Sequence, residues 1–354
     1  MNLMSDLKNI TEKLIGEHTL TKEEWRILLE HRNPEIADRL CSAARRETDR
    51  VFGRQVYVRG LIEFTNICKK DCYYCGIRKS NSCVERYRLT EEEILACCKE
   101  GYEAGFRTFV LQGGEDGYFT EERICSLVSN IHTKYPDCAI TLSVGEWEKK
   151  SYERFYAAGA ERFLLRQETA DPKHYAKLHP ANQPYETRME CLRNLKEIGY
   201  QTGCGFLVGS PYQTIDCIVE DLLFLERFRP QMVGIGPFLP AKNTPFEGEK
   251  AGSSELTLFL LSAIRLSLPE VLLPATTALG TARSDGRLQG LLHGANVIMP
   301  NLSPVRVREK YALYDNKVHS GNEAAEHLEL LRAELAKENF TVAISRGDAP
   351  GFAK

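Results

Sequence analysis

The chain has 354 residues, more than a single ordinary core usually supports, so one large α/β barrel or two domains is expected. Apolar residues make up 43% and charged ones 27%, the balance of a soluble globular protein. Lys and Arg total 46 against 49 Asp and Glu, a formal charge of -3, which excludes a surface built on excess positive charge; nucleic acid is not an expected partner.

The first stretch, "MNLMSDLKNITEKLIGEH", is amphipathic and carries acidic residues, without the apolar run and small-residue cleavage site of a signal peptide. No segment approaches the roughly 18 consecutive apolar residues of a membrane span. A cytoplasmic protein with no membrane partner is the expectation.

Residues 1–54 read as a helical extension of two or three helices. "LTKEEWRILLEH" places Thr21 three residues before Glu24, the capping-box spacing. "EIADRLCSAARRETDRVFG" then keeps apolar positions at helical spacing up to Gly53. From Val56 onward short β-rich runs alternate with longer helical ones. Strands are expected at 56–64, 108–113, 139–144, 162–167, 201–209, 232–238, 271–278 and 295–300. Between them lie stretches such as "TEEEILACCKEGYEAG" and "YETRMECLRNLKEIG", several opening on Ser or Thr and closing on Gly, as capped helices do. Eight strands alternating with helices predict an α/β fold, a (β/α)8 TIM-type barrel over 55–300. A doubly wound open sheet, which usually has fewer strands, is the runner-up. Residues 301–354 are expected to form a C-terminal helical segment ending in the loose "SRGDAPGFAK".

All 12 cysteines lie between Cys41 and Cys217. Without an export signal they argue for reduced thiols or a metal cofactor rather than a disulfide framework. Cys97, Cys98, Cys125, Cys138, Cys191, Cys204 and Cys217 sit in no ligand-spaced cluster and read as small buried hydrophobes. Cys83, eight residues past Cys75, stays open. Cys68, Cys72 and Cys75 are different. They follow the first barrel strand directly and so fall on a loop at the C-terminal face, where such folds keep their chemistry.

Thiolates suit zinc or iron–sulfur clusters. A structural zinc site usually takes a second ligand pair, yet His132, His174, His179, His293 and His319 show no ligand-like pairing. A [4Fe–4S] cluster fits better, because three thiolates leave one iron open to a ligand that is not protein. The spacing Cys-x3-Cys-x2-Cys, with aromatic Tyr74 before the last cysteine, is similar to the signature of the radical S-adenosylmethionine (SAM) enzymes. That resemblance implies that SAM chelates the open iron and is cleaved reductively to methionine and a 5′-deoxyadenosyl radical. "LQGGED", carrying Gln112, Gly113, Gly114 and Glu115, ends the second strand and resembles the motif by which that family holds the methionine amino group. The glycines let backbone approach a ligand closely.

From about Val56 to Tyr314 the chain resembles the HydE family of radical SAM enzymes, the maturases of [FeFe]-hydrogenase. The likeness rests on "IEFTNICKKDCYYCGIR", "TFVLQGGED", "TLSVGEW", "RFLLRQETA", "MVGIGPF", "LPATTALGT" and "GANVIMPN". Biotin synthase and methylornithine synthase share the barrel and the cysteine trio. The resemblance implies that Cys68, Cys72 and Cys75 hold the cluster and that Ser143, Glu168 and Arg188 contact SAM. It further implies that Arg166, Thr276 and Thr277 line an anion-binding cavity and that Tyr311 and Tyr314 close the bottom of the pocket. The implied substrate is a small anionic or iron–cysteine compound on the route to the hydrogenase diiron subcluster. The implied partners are a reductant such as ferredoxin or flavodoxin and the other hydrogenase maturases. Some members carry a second, surface cluster on cysteines near the C-terminus. Here "DNKVHSGNEAAEHLELL" has none, so no second iron–sulfur cluster is expected. The alternatives are a related radical SAM enzyme acting on an amino acid or a carbon–sulfur bond, and a non-catalytic iron–sulfur scaffold.

Overall fold

The computed structural model of the chain describes residues 3–318 and 328–352. Three helices precede the sheet: α1 (Leu3–Glu17), α2 (Lys22–Glu30) and α3 (Pro34–Phe52). Thr21 and Glu24 cap α2 reciprocally, as their spacing requires, while Asn33 caps α3 with Pro34 in its first turn. Trp25 is fully buried and its indole N–H donates to Glu226 at 3.1 Å, tying α2 to a later helix of the barrel.

The strands are β1 (Gln55–Val58), β2 (Gly60–Thr65), β3 (Thr108–Gly113), β4 (Ala139–Ser143), β5 (Arg162–Leu164), β6 (Gln201–Cys204), β7 (Leu207–Val208), β8 (Met232–Val233), β9 (Gly236–Pro237), β10 (Val297–Ile298) and β11 (Thr341–Ala343). A six-stranded parallel sheet runs β2-β3-β4-β5-β6-β8. Two further segments close it into a ring: Leu272 bridges Met232, Pro274 bridges Val297, and Asn301 bridges Leu61 back on β2. These bridges, all parallel, make the (β/α)8 barrel. Helices such as Glu91–Glu103, Glu121–Lys134, Tyr185–Ile198 and Ile215–Phe228 cover it, and Thr90, Thr120 and Thr214 cap three of them.

Several expected strands are shorter than their sequences suggest, each for a local reason. The run 201–209 breaks at Gly205, whose φ is 151°; a side chain there would meet the Gly234 carbonyl oxygen at 1.9 Å. The run 232–238 breaks opposite it, at Gly234, so two strand interruptions pack against each other. The run 271–278 contributes bridges rather than a ladder, since Pro274 has no N–H to give. The segment 301–354 is not purely helical. Thr341–Ala343 adds a parallel strand to β1, and the loose-looking tail is anchored, because Asp348 pairs with the fully buried Arg162 at 2.7 Å. The β-branched run around Thr341 is too short to stand out in sequence. Within that segment the helices Val305–Arg308 and Leu328–Lys337 are observed; residues 319–327, including His319, lie outside the described residues.

Candidate active site

After Thr65 the chain leaves the barrel in a long loop without regular structure, and polar side chains fix its course. Asn66 accepts from Tyr87 N at 2.8 Å and donates to the carbonyls of Glu85 and Lys310 at 2.9 and 2.7 Å. Arg86 donates to the carbonyls of Asn66, Ile77, Arg78 and Asn81, folding the loop around its guanidinium. Asp71 accepts from Arg78 and from the backbone and hydroxyl of Ser80. A loop held by this many side-chain bonds, most of them at least partly buried, presents its cysteines in one arrangement.

Cys68, Cys72 and Cys75 line one wall of a cavity of about 250 Å3 at the C-terminal end of the barrel. Among the described residues no three His, Cys, Asp or Glu side chains converge on a single ion. A zinc ion needs such convergence, whereas a four-iron cluster takes each thiolate on its own iron. Burial pushes the Cys68 thiol up to about 11, and burial with the neighbouring thiols holds Cys75 well above the ordinary thiol range. For Cys72 burial also raises it, against the pull of Arg188 and of hydrogen bonds from Gln183 and Tyr74. Burial side by side disfavours ionising these three thiols together, a cost that a bound cation offsets.

The rest of the cavity wall carries charge on rigid supports. Gly114 packs where a side chain would meet the Ile67 carbonyl at 2.3 Å, so the backbone after β3 lies directly on the cysteine loop. Glu115 N donates to Cys68 Sγ at 3.4 Å. The Glu115 carboxylate accepts from Glu146 N at 3.1 Å, yet its Oε2 is buried without a hydrogen bond, Lys69 and Lys70 standing 3.6 and 3.8 Å away. Burial raises its pKa. Glu168 holds φ at 66°, a left-handed conformation that a non-glycine residue keeps only where its surroundings impose it. Here the Gly205 carbonyl and the Leu207 N–H clamp its backbone at 3.0 and 3.1 Å. Its Oε2 lies 3.0 Å from Arg166 but off line, so neither gains a hydrogen bond from the contact and the Arg166 Nε is also unpartnered. Arg188 is buried, donating to Glu146 at 2.6 Å and to the Arg166 carbonyl at 2.6 Å. Unsatisfied buried carboxylate and guanidinium atoms facing one cavity are what a zwitterionic ligand satisfies.

Below lies a smaller cavity of about 140 Å3, lined by Arg59, Gln112, Arg166, Thr276, Thr277 and Tyr314 among others. Arg166, Thr276 and Tyr314 face both spaces, so the two communicate through them. Tyr311 is buried against the upper one. Arg59 is 5% exposed, with one nitrogen 3.0 Å from the Met232 sulfur and the other two lacking partners. Glu63 is fully buried, paired with Lys317 and accepting from Asn301 at 2.9 Å.

The structure thus gathers the cysteines, the Gln112–Glu115 stretch, Arg166, Glu168, Arg188, Thr276, Thr277, Tyr311 and Tyr314 around two joined cavities. Ser143 stands on β4 in register with Gln112 and is not among the lining residues. Sequence reasoning overlooked Arg59, Lys70, Glu146, Gln183 and the Glu63–Lys317 pair. Arg59, a cation inside the apolar run "VYVRGLIEF", was a visible signal; Glu146 and Gln183 gain meaning only from the contacts they make.

A barrel of this build, with three free thiols on the loop after its first strand, defines a class. Residues 62–225 match the Radical SAM superfamily, and the chain belongs to it. It is a radical SAM enzyme, of a family whose cofactors are a [4Fe–4S] cluster and SAM, and the cysteine wall and unsatisfied charges described above fit both. The chain is 43% identical to the [FeFe] hydrogenase maturase subunit HydE of Thermotoga maritima, over 88% of each chain. It is 33% identical to 3-methylornithine synthase of Methanosarcina barkeri, again over 88% of each. The crystal structure of methylornithine synthase (PylB) superposes with a TM-score of 0.84 at 31% identity, covering 94% of this chain and 97% of that one. Among the described residues no helix is long and apolar enough to cross a membrane.

Proposed function

We propose that this chain is a HydE-type maturase, a radical SAM enzyme acting on a small anionic or iron–cysteine substrate during assembly of the [FeFe]-hydrogenase H-cluster. The observation that carries this reading is the 43% identity with HydE over 88% of both chains, ten points above that with 3-methylornithine synthase. Cys68, Cys72 and Cys75 would hold the cluster, which when bound supplies the electron for reductive cleavage of SAM. Gly113 and Gly114, packed on the chain's own residues 64–68, bring the backbone after β3 to the cavity wall, where Glu115 takes the ligand's ammonium group and Arg188 its carboxylate. Glu168, its conformation fixed by Gly205 and Leu207, accepts from the remaining donors, and Gln112 and Ser143, paired at the ends of β3 and β4, complete the proposed contacts. Arg166, Arg59, Thr276 and Thr277 orient the anionic substrate below, while Tyr311 and Tyr314 with the buried Glu63–Lys317 pair keep water out.

Ferredoxin or flavodoxin as electron donor, the other maturases as partners and a cytoplasmic setting belong to the same proposal. All 12 cysteines being free supports the last. The test has two stages. Anaerobic reconstituted protein with dithionite and SAM is expected to yield 5′-deoxyadenosine. Adding it to the other maturases is expected to activate apo-hydrogenase, and failure there removes the specific assignment while leaving the class intact. A second reading, radical chemistry on a free amino acid, draws on the fold match to methylornithine synthase. It predicts that an amino acid, not an iron–cysteine compound, stimulates 5′-deoxyadenosine formation.

A further inference from the structure

Gln183 stands behind the cysteine loop, on the stretch that joins helix Pro172–Leu178 to helix Tyr185–Ile198, and is 6% exposed. Its Oε1 accepts the backbone N–H of Asp71 at 2.7 Å, and its Nε2 donates to Cys72 Sγ at 3.3 Å. Chemistry settles which end is which: an N–H can only donate, so the carbonyl end faces Asp71 and the amide hydrogens face the sulfur. The side chain is itself fixed. Gln183 N donates to the Pro180 carbonyl at 2.9 Å, and Tyr73 N donates to the Leu178 carbonyl at 2.9 Å, joining the two segments on the other side of Cys72. One amide therefore anchors the residue before the central cysteine and aims a hydrogen bond at that cysteine's sulfur.

A hydrogen bond to a cysteine sulfur draws electron density from it and favours the reduced, more negative cluster. We propose that Gln183 is a positioning residue that fixes Cys72 for cluster binding and, by donating to its sulfur, raises the midpoint potential of the bound cluster. This rests on the reading that Cys72 is a cluster ligand.

The test uses full-length Gln183→Met and Gln183→Glu, reconstituted anaerobically, with iron and sulfide content, an EPR-monitored redox titration and resonance Raman spectra. Met removes both bonds without adding charge. Glu keeps the acceptor for Asp71 N–H and so retains the loop anchor while losing the donor. Both are expected to shift the midpoint to lower potential, so that a smaller fraction of cluster is reduced at the potential that half-reduces the native protein. The iron–cysteine stretches are expected to move to higher frequency. A loop anchor alone would lower iron content and leave both properties of the loaded fraction unchanged, and that result overturns the proposal. Cys72→Ala separates the two readings: a full cluster in that variant removes Cys72 from the ligand set whatever Gln183 does.

Discussion

The upper and lower spaces of the barrel treat their charges differently. Above, most charged groups answer one another: Lys70 and Arg188 share Glu146, and Glu115 sits within reach of two lysines. Backbone clamps at Glu168 and Gly114 fix where the remaining lone atoms point. Below, Arg59 is buried with a thioether as its hydrogen-bond partner, while Arg162, fully buried at the start of β5, is met by Asp348, the Arg346 carbonyl and the Thr108 hydroxyl. A paired buried arginine holds a fold together; an unpaired one is a cost that a ligand can relieve. The upper space answers most of its own charge with protein groups, whereas the lower leaves two Arg59 nitrogens without a hydrogen-bond partner.

The largest effect expected is at the cysteines. Cys72→Ala takes away the thiol that Gln183 addresses, and should abolish cluster binding and all 5′-deoxyadenosine formation. Native reconstituted protein should bind about four irons per chain; six or more would contradict a single cluster. Next comes Arg166, which faces both spaces. Arg166→Ala should leave SAM affinity near native and reduce substrate-dependent turnover by roughly tenfold to a hundredfold, the worth of about 1.5–3 kcal/mol for a charged hydrogen bond. Loss of iron in this variant would mean that Arg166 supports the cluster loop rather than the substrate.

Asp348 tests the structural side of the comparison. Burial raises its pKa, but Arg162, Gln201 and Arg346 outweigh that and hold it at about 2, below the ordinary 3.8. A depressed acid pKa stabilises the fold above the unfolded value, and that contribution fades as pH falls from about 4 toward 2. Asp348→Ala leaves Arg162 buried and uncompensated and should destabilise by about 3–5 kcal/mol. Thermal melts at neutral pH would read it, with no change expected in the SAM-dependent EPR signal of protein that remains folded.

Most of the barrel and the cysteine wall was legible in the sequence, because both depend on local pattern: alternation of strand and helix, capping threonines, and thiols at fixed spacing. Cys68, Cys72 and Cys75 fell on the expected loop for that reason. What stayed hidden depends on contacts across the chain. The tail "SRGDAPG" looks loose until Asp348 meets Arg162, 186 residues away in sequence. Gln183 is an ordinary loop glutamine until the fold brings it to Cys72, 111 residues away. Strand ends were overestimated at Gly205 and Gly234 because no local pattern reveals that two glycines touch.

Arg59→Met is the smallest effect and the sharpest separation of the two kinds of arginine. Burial holds the Arg59 pKa well below the ordinary range, with Arg162 adding repulsion and Asp348 only a distant offset. Methionine fills similar volume and has no hydrogen bonds to lose, and it packs naturally against Met232. Replacing an uncompensated buried charge with an apolar group is expected to stabilise the fold by about 1–3 kcal/mol, seen as a higher midpoint in chemical denaturation. The same variant should cleave SAM as the native enzyme does when no substrate is present, yet lose substrate-dependent acceleration. A variant that gains stability and keeps full substrate response would make Arg59 a tolerated structural cost; one that loses stability would mean that its contact with Met232 outweighs the buried charge.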